Sequence, residues 1–439
     1  MKHSGIAWLG KIPNCWNVLR LKNLGFLYGG LTGKSGDDFV INEDEPCSYM
    51  YFIPFTNIFN NDVIDTKQLY KVKTEEGEQQ NLVNKFDILF LMSSEDNDGV
   101  GKPAIIEEQV ENLGLNSFCK GLRITNNQIY PKFLYYLLSS HIIRELIRQE
   151  ARGFIRINLR QDKLSCCPIF LPPLAEQKAI ADFLDKKCGE IDELVALQGK
   201  IIEELKAYKH SVITEAVCKG LNPNIPMKDS GVEWIEKMPI HWEIRRLKYI
   251  GKSENGLTYS PNDLCDNSND GILVLRSSNI QEGKLVFTDN VYVKDAPSIL
   301  HVKKGDIILC SRNGSAALVG KSAIVNSDIY ATFGAFMMRF RSNHHTEYIH
   351  YLLTAAVSQY KQLFSTTTIN QLTIGVFGNL EMPFVVSRIE QQEIADYLDK
   401  KCSEIDQLIS IKQQKIVELK DYKKSLIYEY TTGKKRVEA

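Results

Sequence analysis

The chain has 439 residues, a net charge of −1, 44% hydrophobic and 24% charged residues, the balance of a soluble, well-cored protein with room for two to four domains. It has no apolar run near the roughly 18 residues of a membrane span and no signal-peptide pattern, and its ten cysteines include no Cys-x-x-Cys pair. A membrane protein, a disulfide framework and a zinc site are set aside, reduced thiols in a cytoplasm are expected, and near-neutrality counts mildly against a nucleic-acid partner unless charge is segregated locally.

Residues 1–25 (MKHSGIAWLGKIPNCWNVLRLKNLG) open a block that is met again, since MKDSGVEWIEKMPIHWEIRRLKYIG returns at 227–251, a shift of 226 positions. Gly29-Gly30-Leu31-Thr32-Gly33-Lys34-Ser35 looks like a phosphate-binding loop. That pattern needs glycine five places before Gly33, where Tyr28 stands, and the second copy replaces Gly33-Lys34 with Tyr259-Ser260. The segment reads as a structural turn, with Lys34 a candidate phosphate contact. Short apolar runs follow at Tyr51–Ile58 and Asp87–Leu91, and a helical run at Phe133–Leu138. Leu171-Pro172-Pro173-Leu174 lacks the Asn or Asp that precedes the Pro-Pro core of amino-methyltransferases. Its place before Glu176 fits helix initiation.

Residues 174–218 hold no proline and only Gly189 and Gly199, which predicts one unbroken helix of about 65 Å at roughly 1.5 Å per residue. The segment EQKAIADFLDKKCGEIDELVALQGKIIEELKAYKHSVITE at 176–215 recurs at 390–429, shifted by 214, with 23 of 40 residues identical. A duplication of this kind decides the architecture. Ile191, Leu194, Ile201, Leu205, Tyr208 and Val212 step by threes and fours, with Gln198 in a missing slot, and Leu184 stands one heptad earlier on the same expected interface. The second copy gives Leu398, Ile405, Leu408, Leu419, Tyr422 and Leu426, loosened by Lys412 and Lys415. So narrow a stripe is a coiled-coil seam and needs a partner helix. The short linker Asn222-Pro223-Asn224-Ile225-Pro226 leads directly into the second block. If each block's termini lie close together, the second helix runs back beside the first as an antiparallel pair, a ruler with a block at each end.

The second block repeats the first in outline. Gly271–Ile280 and Asp306–Cys310 are strand-like, Tyr348–Val357 is helical, and Asp306 to Gly320 repeats the fourteen-residue interval from Asp87 to Gly101. The fold class is therefore α+β, with two globular mixed α/β blocks joined by two long helices and a pseudo-two-fold internal repeat. The polar loops on this common frame differ, as two modules of different specificity would. Arg276-Ser277-Ser278-Asn279 and Arg312-Asn313 offer a guanidinium for guanine and amides for adenine. The first block carries Thr56-Asn57 and Ser93-Ser94 at the corresponding places. The basic stretch Arg152-Gly153-Phe154-Ile155-Arg156 lies where the second block has Ser365–Asn370, which includes Thr367 and Asn370. Any single arginine is more readily a surface ion-pair partner or a phosphate contact, so the set carries the expectation. His344 and His345 sit in a polar turn before a helix that carries His350, with no third metal ligand at suitable spacing. No catalytic constellation is visible.

The boundary motif Leu171–Gln177 leading into Ile180–Leu184, its second copy at Glu390-Gln391 with Ile394–Leu398, Leu275-Arg276 with Asn279-Ile280, and Gly305–Ile308 followed by Val319-Gly320 carry a family likeness. The chain resembles the specificity subunit of a type I restriction–modification system over essentially its whole length. One departure is Met382-Pro383-Phe384-Val385-Val386, which lacks the double proline. The resemblance implies a first target-recognition domain at 1–170, a central helix at 171–221, a second recognition domain at 222–384 and a C-terminal helix at 385–439. It implies a non-catalytic DNA reader in which each domain takes half of a split target and the helix pair sets the gap. Double-stranded DNA, two adenine-methylating subunits and restriction subunits would be its partners, with no membrane. S-adenosylmethionine, ATP and Mg would belong to those subunits, and this chain would bind no cofactor or metal. Two other classes compete: a self-contained methyltransferase or nuclease, for which the motifs are missing, and a coiled-coil scaffold joining two protein-binding domains.

Overall fold

A computed structural model describes residues 1–3, 10–40, 48–75, 77–265, 271–360 and 370–437. The chain divides into two compact units, Met1–Gly199 with Gln414–Ala439, and Lys200–Gln413. These units differ from the linear blocks because the break falls inside both long helices, Leu174–Lys219 and Arg388–Thr431. Each unit holds the first part of one helix and the last part of the other.

In the first unit, an antiparallel sheet runs Gly25–Gly29, Cys119–Ile124, Ile88–Leu91, Pro103–Ile105. In the second, Gly251–Asn255, Met337–Ser342, Ile307–Cys310 and Ser322–Ile324 take the same order. Each unit adds a second sheet with one parallel pair, Tyr49–Ile53 beside Leu113–Leu115 and Ile272–Leu275 beside Ala331–Phe333. The run read as strand at Tyr51–Ile58 splits instead. Pro54 ends the strand and caps a short helix, Phe55–Asn60, because proline fixes a helix-compatible φ and withholds no needed donor there. An early strand of each unit pairs with the strand just before its helix: Asn17–Arg20 with Pro168–Leu171, Glu243–Arg246 with Glu381–Phe384.

A glutamine clamps each helix entry. Gln177 donates to the Gln128 and Pro172 carbonyls and accepts from the Tyr130 amide, and Gln391 donates to the Val385 carbonyl and accepts from the His345 amide. The helices end at Gly220 (φ +74°) and Gly433 (φ +71°), the left-handed C-terminal position that glycine favours. A Cβ on Gly220 would lie 3.2 Å from the Trp242 ring, and one on Gly433 2.6 Å from Pro13 and 3.3 Å from Trp16. Both tryptophans are fully buried, and each unit's core includes the returning helix end: Leu426 and Ile427 in the first, Ile213 and Val217 in the second.

The buried to half-buried stripe on the second helix is Leu398, Cys402, Ile405, Ile409, Lys412, Ile416, Leu419, Lys423, Leu426, stepping by four and three throughout. On the first it is Leu184, Cys188, Ile191, Val195, Gln198, Ile202, Leu205, Lys209, Val212, with Val212 and the deeper Ile213 closing the row. Leu184, Ile191, Leu205, Val212, Leu398, Ile405, Leu419 and Leu426 thus lie where the periodicity put them, and Ile201 is half-buried beside the row. Leu194, Tyr208, Leu408 and Tyr422 do not; all four are exposed. Their slots are taken by Val195, Lys209, Ile409 and Lys423, since a lysine can bury its aliphatic stem and keep its charge at the rim. Lys423 reaches Asp192 at 2.7 Å in the first unit, and Lys209 reaches Asp406 at 2.6 Å in the second. The two pairs are one interaction written twice at a shift of 214. Phe183 also packs on Tyr430, so in the first unit rising numbers on one helix meet falling numbers on the other, an antiparallel register.

Neighbouring residues test this seam. Ile409→Ala is expected to cost about 2–5 kcal/mol for a truncated core aliphatic. Leu408→Ala should change stability by no more than about 0.5 kcal/mol. Urea unfolding of the two variants reads the contrast, and equal losses would return Leu408 to the seam.

Candidate nucleic-acid interface

The polar loops grow from the four-stranded sheets through a small strand pair. Ser93–Ser94 pairs with Ile157–Asn158, and Arg312–Asn313 pairs with Asn370–Gln371. The structure therefore joins stretches that lie some 60 residues apart in sequence. In the first unit the Met92 amide donates to the Phe118 carbonyl (3.1 Å) and the Leu159 amide to the Met92 carbonyl (2.8 Å). In the second, the Ser311 amide donates to Phe336 (2.9 Å) and the Leu372 amide to Ser311 (2.8 Å).

Phe118 and Phe336 thus occupy the same turn, and they are 48% and 60% exposed. Each carries an arginine on its ring: Arg156 lies 4.5 Å from the Phe118 centroid and Arg312 5.6 Å from that of Phe336. Such a contact contributes about 0.5–1 kcal/mol at an exposed site and holds the guanidinium outward. Arg312 lies on the first strand of its pair and Arg156 just before the second strand of its own, so the same surface position is filled by different routes. Sequence reasoning missed both phenylalanines, whose turns are matched by backbone pairing that the sequence alone does not display.

A lysine in each unit holds a further loop against this place. Lys102 donates to the Ile58, Phe59 and Asn61 carbonyls, and burial lowers its pKa. Lys321 donates to the Ser277 carbonyl. Thr56, on the short helix Phe55–Asn60, and Ser278 are exposed. Below the loops the frame rests on buried carboxylates. Arg123 meets Asp87 at 2.7 Å and Arg341 meets Asp306 at 2.6 Å. Burial, then the neighbouring Asp87, pushes the Tyr28 phenol far above its ordinary range. Burial, then Arg341, brings Arg339 down to about 10.

Other sequence candidates are placed elsewhere or already engaged. Asn57 and Asn279 are buried and staple their own loops: Asn57 donates to the Asp65 and Gln68 carbonyls, while Asn279 accepts from the Arg276 amide and donates to Val286. Their amides face inward because turn carbonyls buried beside them need donors. Lys34 is 8% exposed and paired with Glu78, whose carboxyl it holds down at about 2; the loop is a turn running into the short Gly36–Phe39 segment. Arg276 is tied to Asp289 at 2.8 Å. Ser94 lies buried against Asp96, Ser93 is buried beside it, and Asn370 donates to the Gly314 carbonyl. Arg152 and Arg156 are exposed, while Arg312 and Asn313 are half-buried. Thr367 lies outside the described residues. Among the described residues no group of three His, Cys, Asp or Glu is placed to hold a metal, and no helix is long and apolar enough to cross a membrane.

The family model for the type I restriction modification DNA specificity domain matches residues 13–207 and again 239–421. The chain is 27% identical over 317 residues to the type I restriction enzyme EcoKI specificity subunit of Escherichia coli K12, spanning 71% of this chain and 64% of that one. It is 24% identical over 439 residues to the MjaVIII specificity subunit of Methanocaldococcus jannaschii, spanning 97% and 94%. A chain solved in work on complex assembly and conformational transition of the type I R-M system superposes with a TM-score of 0.73 at 16% identity, over 96% of this chain and 98% of that one. The HsdS subunit from Thermoanaerobacter tengcongensis gives 0.52 at 15% identity over the same shares.

If Asn279 is a staple, Asn279→Ala leaves buried polar partners unmade and should destabilise its unit by about 1–3 kcal/mol. Hydrogen exchange should show faster opening around 276–290. Unchanged protection together with altered base preference would restore Asn279 to the reading surface.

Proposed function

The chain belongs to the type I restriction–modification DNA specificity family, and on that premise we propose that each unit reads one half of a bipartite DNA target. It is a specificity subunit with two DNA specificity domains. The observation that carries the division of labour is one surface position built twice with different chemistry. Arg156 beside Ser93, Ser94 and Asn158 stands in one unit, and Arg312 beside Asn313 and Asn370 in the other. A guanidinium held off a ring can donate two hydrogen bonds to guanine O6 and N7. Arg152 at the same loop suits a phosphate.

On this reading the chain has no chemistry of its own. Two methylation subunits dock on it and use S-adenosylmethionine to methylate an adenine flipped from the duplex. Restriction subunits using ATP and Mg join them. The two long helices pass through both units, and their pair fixes the number of unread base pairs between the half-sites. The net charge of −1 favours the alternative of a scaffold joining two protein-binding domains. Duplex affinity that falls with salt separates the two, because phosphate neutralisation releases counterions.

Methylation mapping after co-expression with the cognate methylation subunit, in a host without methylation, is the direct test. One split motif with methyladenine in both halves, absent without this chain, is expected. Arg312→Ala should relax or weaken the second half-site alone, by about 1–3 kcal/mol for a bidentate base contact. Methylation independent of the chain would leave the scaffold, and an equal loss on every sequence would make Arg312 a phosphate contact.

Removing seven residues from each long helix, matched across the seam, preserves the heptad and should shorten the unread gap with both half-sites intact. The same mapping reads it, and an unchanged gap would end the ruler reading.

A further inference from the structure

One feature of the first unit is left over by that assignment. Phe154 is fully exposed and Ile155 is 92% exposed, so the loop 152–156 presents two large apolar side chains to water with nothing packed on them. Large apolar residues left uncovered side by side mark an interaction site more often than chance. The loop is also held in shape. The Arg152 amide donates to the Asn158 carbonyl at 3.0 Å and the Asn158 amide returns the bond at 2.8 Å, which closes its base. Gly153 has φ +146°, and a Cβ there would lie 2.0 Å from the Arg156 carbonyl oxygen, so the turn admits only glycine. A pinned base with a bare tip is a projection with little freedom to fold back.

Its surroundings say what it meets. The base of the loop is the strand paired with Ser93–Ser94, the polar position already described. Arg152 and Arg156 flank the tip, and neither has a carboxylate within ion-pair distance among the described residues. Arg156 is propped on Phe118. Arg152 donates to the Gln149 and Ala151 carbonyls, and an apolar point between two guanidiniums that lack a carboxylate partner matches a base step between two phosphates. A protein partner would instead have to bury both charges.

Resting on the DNA reading above, we infer that Phe154, supported by Ile155, is a wedge that enters a base step of the first half-site while Arg152 and Arg156 hold the flanking phosphates or base edges. Apolar wedges partly unstack the step they enter and kink the duplex. Pyrimidine–purine steps yield most easily, so the wedge would add a preference at a position with no hydrogen-bonded base contact.

The experiment uses the full chain assembled with its methylation subunits, at saturating protein. Duplexes carry 2-aminopurine at one position at a time across the first half-site. A fluorescence rise is expected at one step besides the flipped adenine. Phe154→Ala should abolish it and Phe154→Leu should keep it, while the signal of the flipped adenine persists in both as control. Wild-type binding with no Phe154-dependent signal would overturn the wedge and leave the DNA reading standing. Failure of Phe154→Ala to assemble with the methylation subunits would also overturn it, making the tip a protein contact. No binding of any duplex by the wild-type assembly would overturn the DNA reading and the wedge together.

Discussion

A helix whose apolar stripe is one seam wide cannot bury that stripe alone, and everything else in this chain follows from how the stripe is covered. Each unit covers it with the far end of the other copy's helix. In the first unit Leu426 and Ile427 join the core that holds Trp16 and Phe170, and in the second Ile213 and Val217 join Trp242 and Phe384. The register is marked by the ion pairs Lys423–Asp192 and Lys209–Asp406. These pairs are half-exposed, so each contributes little energy, about 0.2–1 kcal/mol. What they supply is direction and phase. A slip of one heptad would leave both lysine stems and both carboxylates unmatched, while the aliphatic contacts would survive it nearly unchanged.

Interlocking of this kind separates what must stay from what can vary. The glutamine clamps, the glycines closing on tryptophan, and the Asp87–Arg123 and Asp306–Arg341 pairs recur because they hold the sheets to the helices. The loops beyond the sheets carry no such duty. Their side chains can change from serine to arginine across the repeat without moving the backbone pairing beneath them. The Phe118–Arg156 and Phe336–Arg312 contacts make the point sharply, since the ring is retained while its arginine comes from a different segment.

That separation also sets what could be read from sequence. The duplication gave away the two helices, their antiparallel sense and the shared frame, because a repeated helix with a narrow stripe leaves few ways to cover it. The phase of the seam was half legible. Lys209, Lys423 and Cys188 do not look like seam residues, whereas Leu194, Tyr208, Leu408 and Tyr422 do; burial of lysine stems is decided by the facing helix, which one helix's sequence does not contain. The internal hydrogen bonds of Asn57 and Asn279 were hidden for a related reason. An asparagine that staples a turn and one that reads adenine have the same neighbours in sequence, and only the carbonyls brought in from ten residues away distinguish them. The site itself was legible in fragments, Ser93-Ser94 and Arg152–Arg156, Arg312-Asn313 and Asn370, and their pairing was not.

A net charge of −1 would ordinarily weigh against a duplex reader, because phosphate attraction supplies most non-specific affinity. Here the carboxylates near the polar loops are largely committed: Asp98 to Arg148, Glu150 to Lys163, Asp162 to Arg160 and Asp289 to Arg276. Arg152 and Arg156 are left without such partners among the described residues, at a projecting tip where screening by neighbouring protein is least. Within a Debye length of roughly 8–10 Å it is this local field that a phosphate meets, and the charge of the whole chain matters little. A weak overall field has its own consequence. It lowers affinity for arbitrary DNA while leaving short-range contacts untouched, so discrimination between sequences rises as the electrostatic background falls. Neutrality is therefore what a subunit devoted to telling sequences apart would be expected to carry.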